Sequence, residues 1–81
     1  MERDICAPEF ESPDDKLPTA AKWLVQPGQH VGAGDGVLEV ETDKAIFAIE
    51  APAAGTVRRL LVEEGDAVRS RQPVAVLAAE Q

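Results

Sequence analysis

The sequence predicts an all-β domain, a flattened β-barrel or sandwich of about eight strands arranged as two quasi-symmetric halves. Three observations support this fold class. Short β-forming segments alternate with Gly, Pro and Asp, no segment combines helical periodicity with helix caps, and the chain repeats itself internally. With 81 residues, of which 44% are hydrophobic, the chain has the size and composition of one small domain spanning residues 1–81.

Five segments are predicted as strands because they are short and consist mostly of β-forming residues. They span residues 20–25, 36–42, 45–51, 56–62 and 73–78. Prolines stand near the segment ends, where a missing N–H disturbs no central ladder. Gly28 and Gly65 lie in equivalent turns and are expected to adopt a positive φ that other residues resist.

An internal repeat underlies this equivalence. A shift of 37 positions (56 − 19) overlays two halves of the chain without a gap. The identical pairs are Thr19 and Thr56, Leu24 and Leu61, Val25 and Val62, Gly28 and Gly65, Val31 and Val68, and Val37 and Val74. A second overlay, at a shift of 44, matches residues 5–8 with 49–52, so the first half has a connection 7 residues longer (44 − 37). Two similar hairpins that share only their turn chemistry could produce one such overlay. Two overlays in a consistent order instead favour a repeated architecture.

The repeat also predicts where the central turn lies. Residues 42–45 link the two halves, and one repeat later Lys44 falls on Gln81 (44 + 37). A quasi-two-fold axis that relates these points places the turn and the C-terminus at opposite ends of the molecule.

Charge and composition exclude several classes of function. Fifteen acidic residues face eight basic ones, giving a net charge of −7, which disfavours nucleic-acid binding. No apolar run approaches the ~20 residues that span a bilayer, and the N-terminus lacks the apolar stretch of a signal peptide, so no membrane association is expected. A single cysteine, Cys6, predicts a reducing compartment, most simply the cytoplasm.

Residues 39–49 have the pattern of a hairpin with the two-residue turn Asp43-Lys44. The turn lacks an Asn-Gly or Asp-Gly signature, so a type I turn is expected, with Asp43 bonding to nearby backbone. Taken alone, an Asp-Lys turn is most simply solvated surface.

Four motifs in order give Lys44 a more specific interpretation. They are residues 23–28 (WLVQPG), 41–45 (ETDKA), 51–57 (APAAGTV) and 62–68 (VEEGDAV). With these motifs the chain resembles the biotinyl/lipoyl attachment domain family over nearly its whole length. The resemblance implies the family's two-fold flattened barrel, a barrel-sandwich hybrid. It also implies a non-catalytic carrier that serves, or forms part of, a dihydrolipoamide acyltransferase.

The resemblance further implies covalent attachment of lipoate to Lys44. Asp43 and Ala45 would take part in recognition of the hairpin, and Glu41 and Thr42 would flank it. Biotin is the less expected cofactor, because biotin carriers of this family typically flank their lysine with methionines and the only methionine here is Met1.

The partners implied by the resemblance are of two kinds. A lipoate ligase or lipoyl/octanoyl transferase would modify the lysine. A thiamine-dependent 2-oxo acid dehydrogenase, an acyltransferase core and dihydrolipoamide dehydrogenase would use it, with the domain itself a monomer.

The sequence departs from the family pattern in the connection 9–18. Leu17-Pro18-Thr19 replaces a common Gly-Thr step, and the connection is slightly longer than usual. In the family this loop lies near the lysine hairpin and helps the dehydrogenase recognise its carrier, so the departure bears on the partner. The predicted partner-loop residues are Glu9, Phe10, Glu11, Ser12, Asp14 and Asp15.

Other chemically notable residues are assigned no function. His30 is expected to be an exposed turn residue, Cys6 a small core residue, and Trp23 a residue of the core or its edge. Two functions remain as alternatives to the lipoyl carrier. One is a biotin carrier, and the other is an unmodified structural or interaction module, such as the lipoyl-like domain of a membrane-fusion adaptor.

Overall fold

The computed structural model of the chain describes residues 1–10 and 17–80, which form seven strands and no helix. The strands are β1 (Glu2–Cys6), β2 (Thr19–Trp23), β3 (His30–Val31), β4 (Gly36–Glu41), β5 (Ile46–Glu50), β6 (Gly55–Leu60) and β7 (Pro73–Ala79). The molecule is elongated, with principal extents of 41 × 19 × 18 Å. In the described part of the chain, no helix is long and apolar enough to cross a bilayer.

The strands form two antiparallel sheets. One sheet has the strand order β1-β7-β6-β3, and the other has the order β2-β4-β5. The two sheets enclose a single core of apolar side chains, and the barrel is not closed. The all-β sandwich predicted from the sequence is therefore confirmed.

The second half of the chain has three strands where the sequence predicted four. The missing strand is reduced to one bridge, Thr19 to Ala67, at the position equivalent to the pairing of Thr56 with His30. In the first half a further pair, Val31 with Gly55, extends that ladder. Its equivalent would join Val68 to Pro18. The Val68 N–H does donate to the Pro18 carbonyl at 2.8 Å, but proline has no N–H to return the bond, so the ladder stops.

The core consists largely of residues that the repeat pairs. Six such pairs are buried on both sides: Ala20 and Val57, Val25 and Val62, Val31 and Val68, Val37 and Val74, Leu38 and Ala75, and Val40 and Leu77. The shift of 44 adds Ile5 with Ile49 and Ala7 with Ala51. Each half therefore contributes a matching layer of apolar side chains, which explains why two short sequences can share one core.

Backbone hydrogen bonds repeat with the same shift. The Gly28 N–H donates to Val57 at 2.7 Å, and the Gly65 N–H donates to Ala20 at 2.7 Å. Gly28 and Gly65 have φ values of +91° and +99°, as their turns were predicted to require. Gly55 has a different role, because a Cβ there would lie 2.3 Å from the carbonyl oxygen of Ala78.

The predicted core position of Cys6 is wrong, because Cys6 is exposed on β1. β1 is an edge strand whose inward side chain is Ile5, so the next residue faces outward. The shift of 44 already contained this information, since Cys6 overlays Glu50, which is also exposed.

Candidate functional site

The hairpin of β4 and β5 holds Lys44 at one tip of the molecule. Glu41 and Ile46 form the last strand pair, and the Thr42 N–H donates to the Ala45 carbonyl at 2.8 Å. Asp43 and Lys44 are therefore the two central residues of the turn, and both are exposed. Neither residue has a positive φ, as expected for a type I rather than a type I′ turn.

Thr42, rather than Asp43, supplies the side chain that holds this turn. The Thr42 hydroxyl oxygen accepts hydrogen bonds from the N–H groups of Lys44, at 3.2 Å, and Ala45, at 3.0 Å. The hydroxyl lies 3.0 Å from the Ala45 carbonyl oxygen, to which it donates. Within residues 1–10 and 17–80 the Asp43 carboxylate makes no hydrogen bond, so the predicted bracing role belongs to the residue before it.

The Lys44 side chain lies at the surface of the described structure. Residue 44 is exposed, and no salt bridge to its ammonium group occurs among the described residues. A lysine that is to be acylated must present its amine to another enzyme's active site, and burial or a tight ion pair would oppose this. The geometry thus fits a residue that forms an amide with a carboxylic acid cofactor.

The outer face of the hairpin carries apolar, acidic and basic side chains. Along β5, Ile46, Ala48 and Glu50 are exposed while Ile49 is buried, so these three residues face away from the core. Glu39 lies opposite Ala48 in the register, and Lys22 of β2 lies opposite Glu39. This face therefore carries two acidic side chains, Glu39 and Glu50, and one basic side chain, Lys22. Acylation of Lys44 at the tip would remove a further positive charge from the hairpin region.

A groove runs beside the turn. It is lined by residues 17–21, by Glu41, Thr42 and Asp43, and by Gly65. The last residues of the long connection 9–18 therefore lie next to the lysine hairpin.

The first residues of this connection also contact the hairpin. The Phe10 ring packs against Phe47 of β5, with centroids 6.3 Å apart and ring planes inclined by 58°. Ser70 holds the Phe10 backbone, accepting from its N–H at 3.0 Å and donating to its carbonyl at 2.7 Å. Arg71 donates to the Glu9 carboxylate at 2.9 Å.

Of the six predicted partner-loop residues, Phe10 is thus placed against the hairpin, and its neighbour Glu9 is bound to Arg71. The other four, Glu11, Ser12, Asp14 and Asp15, lie outside the described residues. Sequence analysis did not identify Phe47, Ser70 and Arg71 as anchors of the loop. No signal in the repeat could have found Ser70 and Arg71, because they overlay Ala33 and Gly34, which have no comparable loop to hold.

The opposite end of the molecule contains the last described residues. β5 leads away from the lysine turn, and the Glu80 N–H donates to the carbonyl of Ala54, beyond the far end of β5. The His30 ring contacts the Glu80 carboxylate there, 2.5 Å away and exposed to solvent. This placement agrees with the opposite ends predicted by the repeat.

The remaining notable residues have structural contacts. The Trp23 indole N–H donates to the Val62 carbonyl at 3.1 Å, and the Trp23 ring packs at the edge of the core, as predicted. His30 is exposed, also as predicted, although it lies on β3 rather than in a turn. Among the residues that the structure describes, no group of three or more His, Cys, Asp and Glu side chains could hold a metal ion.

Known proteins resemble the chain in both sequence and backbone. The family model described as "Biotin-requiring enzyme", the biotin/lipoyl model, matches residues 8–77. The dihydrolipoyllysine-residue acetyltransferase component of the pyruvate dehydrogenase complex of Rhizobium meliloti is 44% identical over 70 residues. The match covers 85% of this chain but 16% of that protein, so the chain corresponds to a small part of it.

Two solved structures share the fold. A long-chain acyl-CoA carboxylase matches 98% of this chain and 7% of its own, with a TM-score of 0.80 and 23% identity, which shows the fold alone. The lipoyl domain of the 2-oxoglutarate dehydrogenase complex of Azotobacter vinelandii matches with a TM-score of 0.74 and 31% identity, over 96% of this chain and 98% of that domain. Because family model, sequence relative and lipoyl-domain structure agree over most of its length, the chain belongs to the biotinyl/lipoyl attachment domain family, in its lipoyl branch.

Proposed function

We propose that this chain carries a lipoyl group on Lys44 and shuttles acyl groups and reducing equivalents between the active sites of a 2-oxo acid dehydrogenase complex. The observation that carries the proposal is the exposed position of Lys44 at the centre of a braced turn, at one tip of an elongated domain. A lysine held this way projects beyond the domain and can enter another protein's active site.

Attachment requires little from the domain except presentation. The carboxyl group of lipoate, activated by the attaching enzyme, forms an amide with the Lys44 amine, and the side chain loses its positive charge. The bound group would supply a strained ring disulfide that accepts an acyl group and two electrons together. The domain itself contributes position, and its tether would raise the local concentration of the arm to the millimolar order at each active site.

Lipoate is favoured over biotin by the sequence around Lys44 and by the relatives. Asp43 and Ala45 flank the lysine where biotin carriers of the family typically have methionines. The Rhizobium relative and the Azotobacter domain both come from 2-oxo acid dehydrogenase complexes. Since one serves pyruvate and the other 2-oxoglutarate, the proposal names the class of 2-oxo acid and no single substrate.

The proposed partners follow from the same relatives. A lipoate ligase or lipoyl/octanoyl transferase attaches the arm, and a thiamine-dependent dehydrogenase, an acyltransferase and dihydrolipoamide dehydrogenase use it. We propose that the domain contributes no catalytic group of its own. A cytoplasmic location is likewise proposed, on the single cysteine, Cys6.

Intact mass spectrometry tests the proposal. The chain is incubated with purified lipoate ligase, ATP and lipoate, next to a Lys44→Arg variant that keeps the charge and a Lys22→Arg variant as the matched control. We expect one lipoyl adduct on the parent and on Lys22→Arg, and none on Lys44→Arg. A gain only with biotin ligase and biotin would replace the cofactor and keep the carrier function. No gain with either ligase would support the unmodified interaction module.

A further inference from the structure

Because the chain is a two-fold repeat, the lysine turn can be compared with the equivalent position at the other end of the molecule. The shifts of 37 and 44 place Thr42 on Ala79 (79 − 42) and Ala45 on Met1 (45 − 1). The Thr42 N–H donates to the Ala45 carbonyl at 2.8 Å, and the Ala79 N–H donates to the Met1 carbonyl at 2.8 Å. The same backbone bond therefore forms at both ends of the molecule, once beside a threonine and once beside an alanine.

This comparison shows which hydrogen bonds strand pairing requires and which ones the Thr42 hydroxyl adds to the turn. Because Ala79 has no hydroxyl, strand pairing at this position does not depend on one. The Thr42 hydroxyl adds three hydrogen bonds within the turn: it accepts from the N–H groups of Lys44 and Ala45 and donates to the Ala45 carbonyl. A hydroxyl group can donate one hydrogen bond and accept two. The Thr42 hydroxyl therefore uses its full hydrogen-bonding capacity within the lysine turn.

Apart from the Thr42 hydroxyl, the described residues make few contacts with the turn. Asp43, Lys44 and Ala45 are all exposed, and the Asp43 carboxylate makes no hydrogen bond with the described part of the chain. An exposed turn with few fixed contacts samples several conformations, and only a fraction of the molecules would then present Lys44 in the form that an enzyme accepts. The apparent affinity for a partner falls in proportion to that fraction.

We propose that the Thr42 hydroxyl is a positioning and specificity-determining group for modification of Lys44, holding the turn in the one conformation that the lipoyl-attaching enzyme accepts. The proposal rests on the proposed function and adds a residue-level requirement to it. Thr42 acts through the backbone of Lys44 and Ala45, to which its hydroxyl is hydrogen-bonded.

Three variants test this role. Thr42→Val keeps the shape and removes the hydroxyl, Thr42→Ser keeps the hydroxyl, and Thr56→Val is a matched control. Thr56 lies on β6, and its hydroxyl makes no hydrogen bond within residues 1–10 and 17–80. Initial rates of lipoyl transfer by purified ligase are measured by intact mass over a range of carrier concentrations, and thermal unfolding is measured in parallel.

We expect Thr42→Val to raise KM for the carrier domain about tenfold, since two lost N–H bonds are worth about that factor in the population of the turn. We expect kcat to change little, because the competent molecules react normally. The KM of Thr42→Ser should remain within about twofold of the parent value, and the KM of Thr56→Val should equal the parent value. Amide hydrogen exchange at Lys44 and Ala45 should speed up in Thr42→Val alone, with the melting temperature almost unchanged.

The outcomes distinguish this proposal from the proposed function. Parent-like KM in Thr42→Val, or equal losses in Thr42→Val and Thr42→Ser, would overturn the role of the hydroxyl while leaving Lys44 as the attachment site. A loss of modification that follows the melting temperature would assign Thr42 a structural role and also overturn it. A parent chain that accepts no lipoyl group would contradict the proposed function itself, and this inference with it.

Discussion

The rings of Phe10 and Phe47 contact each other with centroids 6.3 Å apart and planes inclined by 58°. Phe10 belongs to the connection between β1 and β2, and Phe47 belongs to the strand that leaves the lysine turn. Tilted aromatic pairs of this kind stabilise a fold by more than the burial of their surface area alone would. The contact therefore couples the position of the connection to the position of the hairpin.

We expect Phe10→Ala to lower the free energy of unfolding by about 1–2 kcal/mol, because the ring is only partly buried. A double-mutant cycle with Phe47→Leu should give a coupling energy of about 0.5–1.5 kcal/mol, measured by urea denaturation. Additive effects of the two substitutions would show that the rings do not stabilise each other.

The same substitution should separate modification from use by the dehydrogenase. The hydrogen bonds of the lysine turn do not involve Phe10, so lipoylation of Phe10→Ala should proceed at the parent rate. If the connection forms part of the surface that the dehydrogenase recognises, reductive acylation of the lipoylated variant should fall several-fold, mainly through KM. Equal reductive acylation of both proteins would remove Phe10 from the predicted partner loop. Arg58→Ala, at an exposed position of β6 that forms an ion pair with Glu2, serves as the surface control.

Sequence analysis predicted most of the fold because the internal repeat can be detected from the amino-acid sequence alone. Matching the two halves identified the positive φ of Gly28 and Gly65 and paired buried residues such as Val31 and Val68. Applied consistently, the same overlay would have placed Cys6 at the surface with Glu50. The repeat cannot show how one half departs from the other.

Apart from Cys6, the features that the sequence analysis missed lie where the two halves differ. Pro18 stands at the position equivalent to Gly55 and ends the strand pairing there. The longer connection is held by Ser70 and Phe47, which are distant from it in sequence. In the turn, Thr42 and Asp43 carry side chains that are equally able to bond to backbone in principle. Only the three-dimensional path of the turn shows that the hydroxyl reaches the N–H groups.

Gly55 is predicted to be the glycine least tolerant of substitution. A Cβ at this position would lie 2.3 Å from the Ala78 carbonyl oxygen and 2.9 Å from the Ala79 Cα, both backbone atoms of the adjacent strand. Relief requires the strands to separate, so Gly55→Ala should cost about 3 kcal/mol or more in stability. Gly32→Ala is the matched control, because its Cβ would meet only the Asp35 side chain, at an ordinary 3.5 Å. Similar midpoints of urea unfolding for the two variants would contradict the predicted clash.

Arg71 and Gly34 occupy equivalent turns but should differ in how much substitution changes the stability of the domain. Arg71 has a φ of +63° and Gly34 a φ of +88°, and only glycine adopts such values without strain. Gly34→Ala should therefore destabilise the domain by about 1 kcal/mol. Arg71→Gly relieves strain of a similar size but loses an exposed ion pair with Glu9 that is worth less than about 1 kcal/mol, so its net effect should lie near zero. Glu9→Gln isolates the ion-pair contribution, and a loss above about 2 kcal/mol in Arg71→Gly would show that the pair dominates.

Exchanging the two central residues of the lysine turn tests whether position, rather than local composition, defines the attachment site. The double substitution Asp43→Lys, Lys44→Asp keeps the charge, the exposure and the strands on either side. It moves the lysine from the third to the second residue of the turn, away from the backbone N–H that the Thr42 hydroxyl holds. A side chain at that neighbouring position leaves the turn in a different direction, so the attaching enzyme should fail to modify it, with a drop of at least about tenfold in rate. Intact mass after incubation with ligase, ATP and lipoate measures the outcome, with unchanged thermal unfolding as the check on folding. Normal modification of the moved lysine would mean that the enzyme accepts any exposed lysine at this tip.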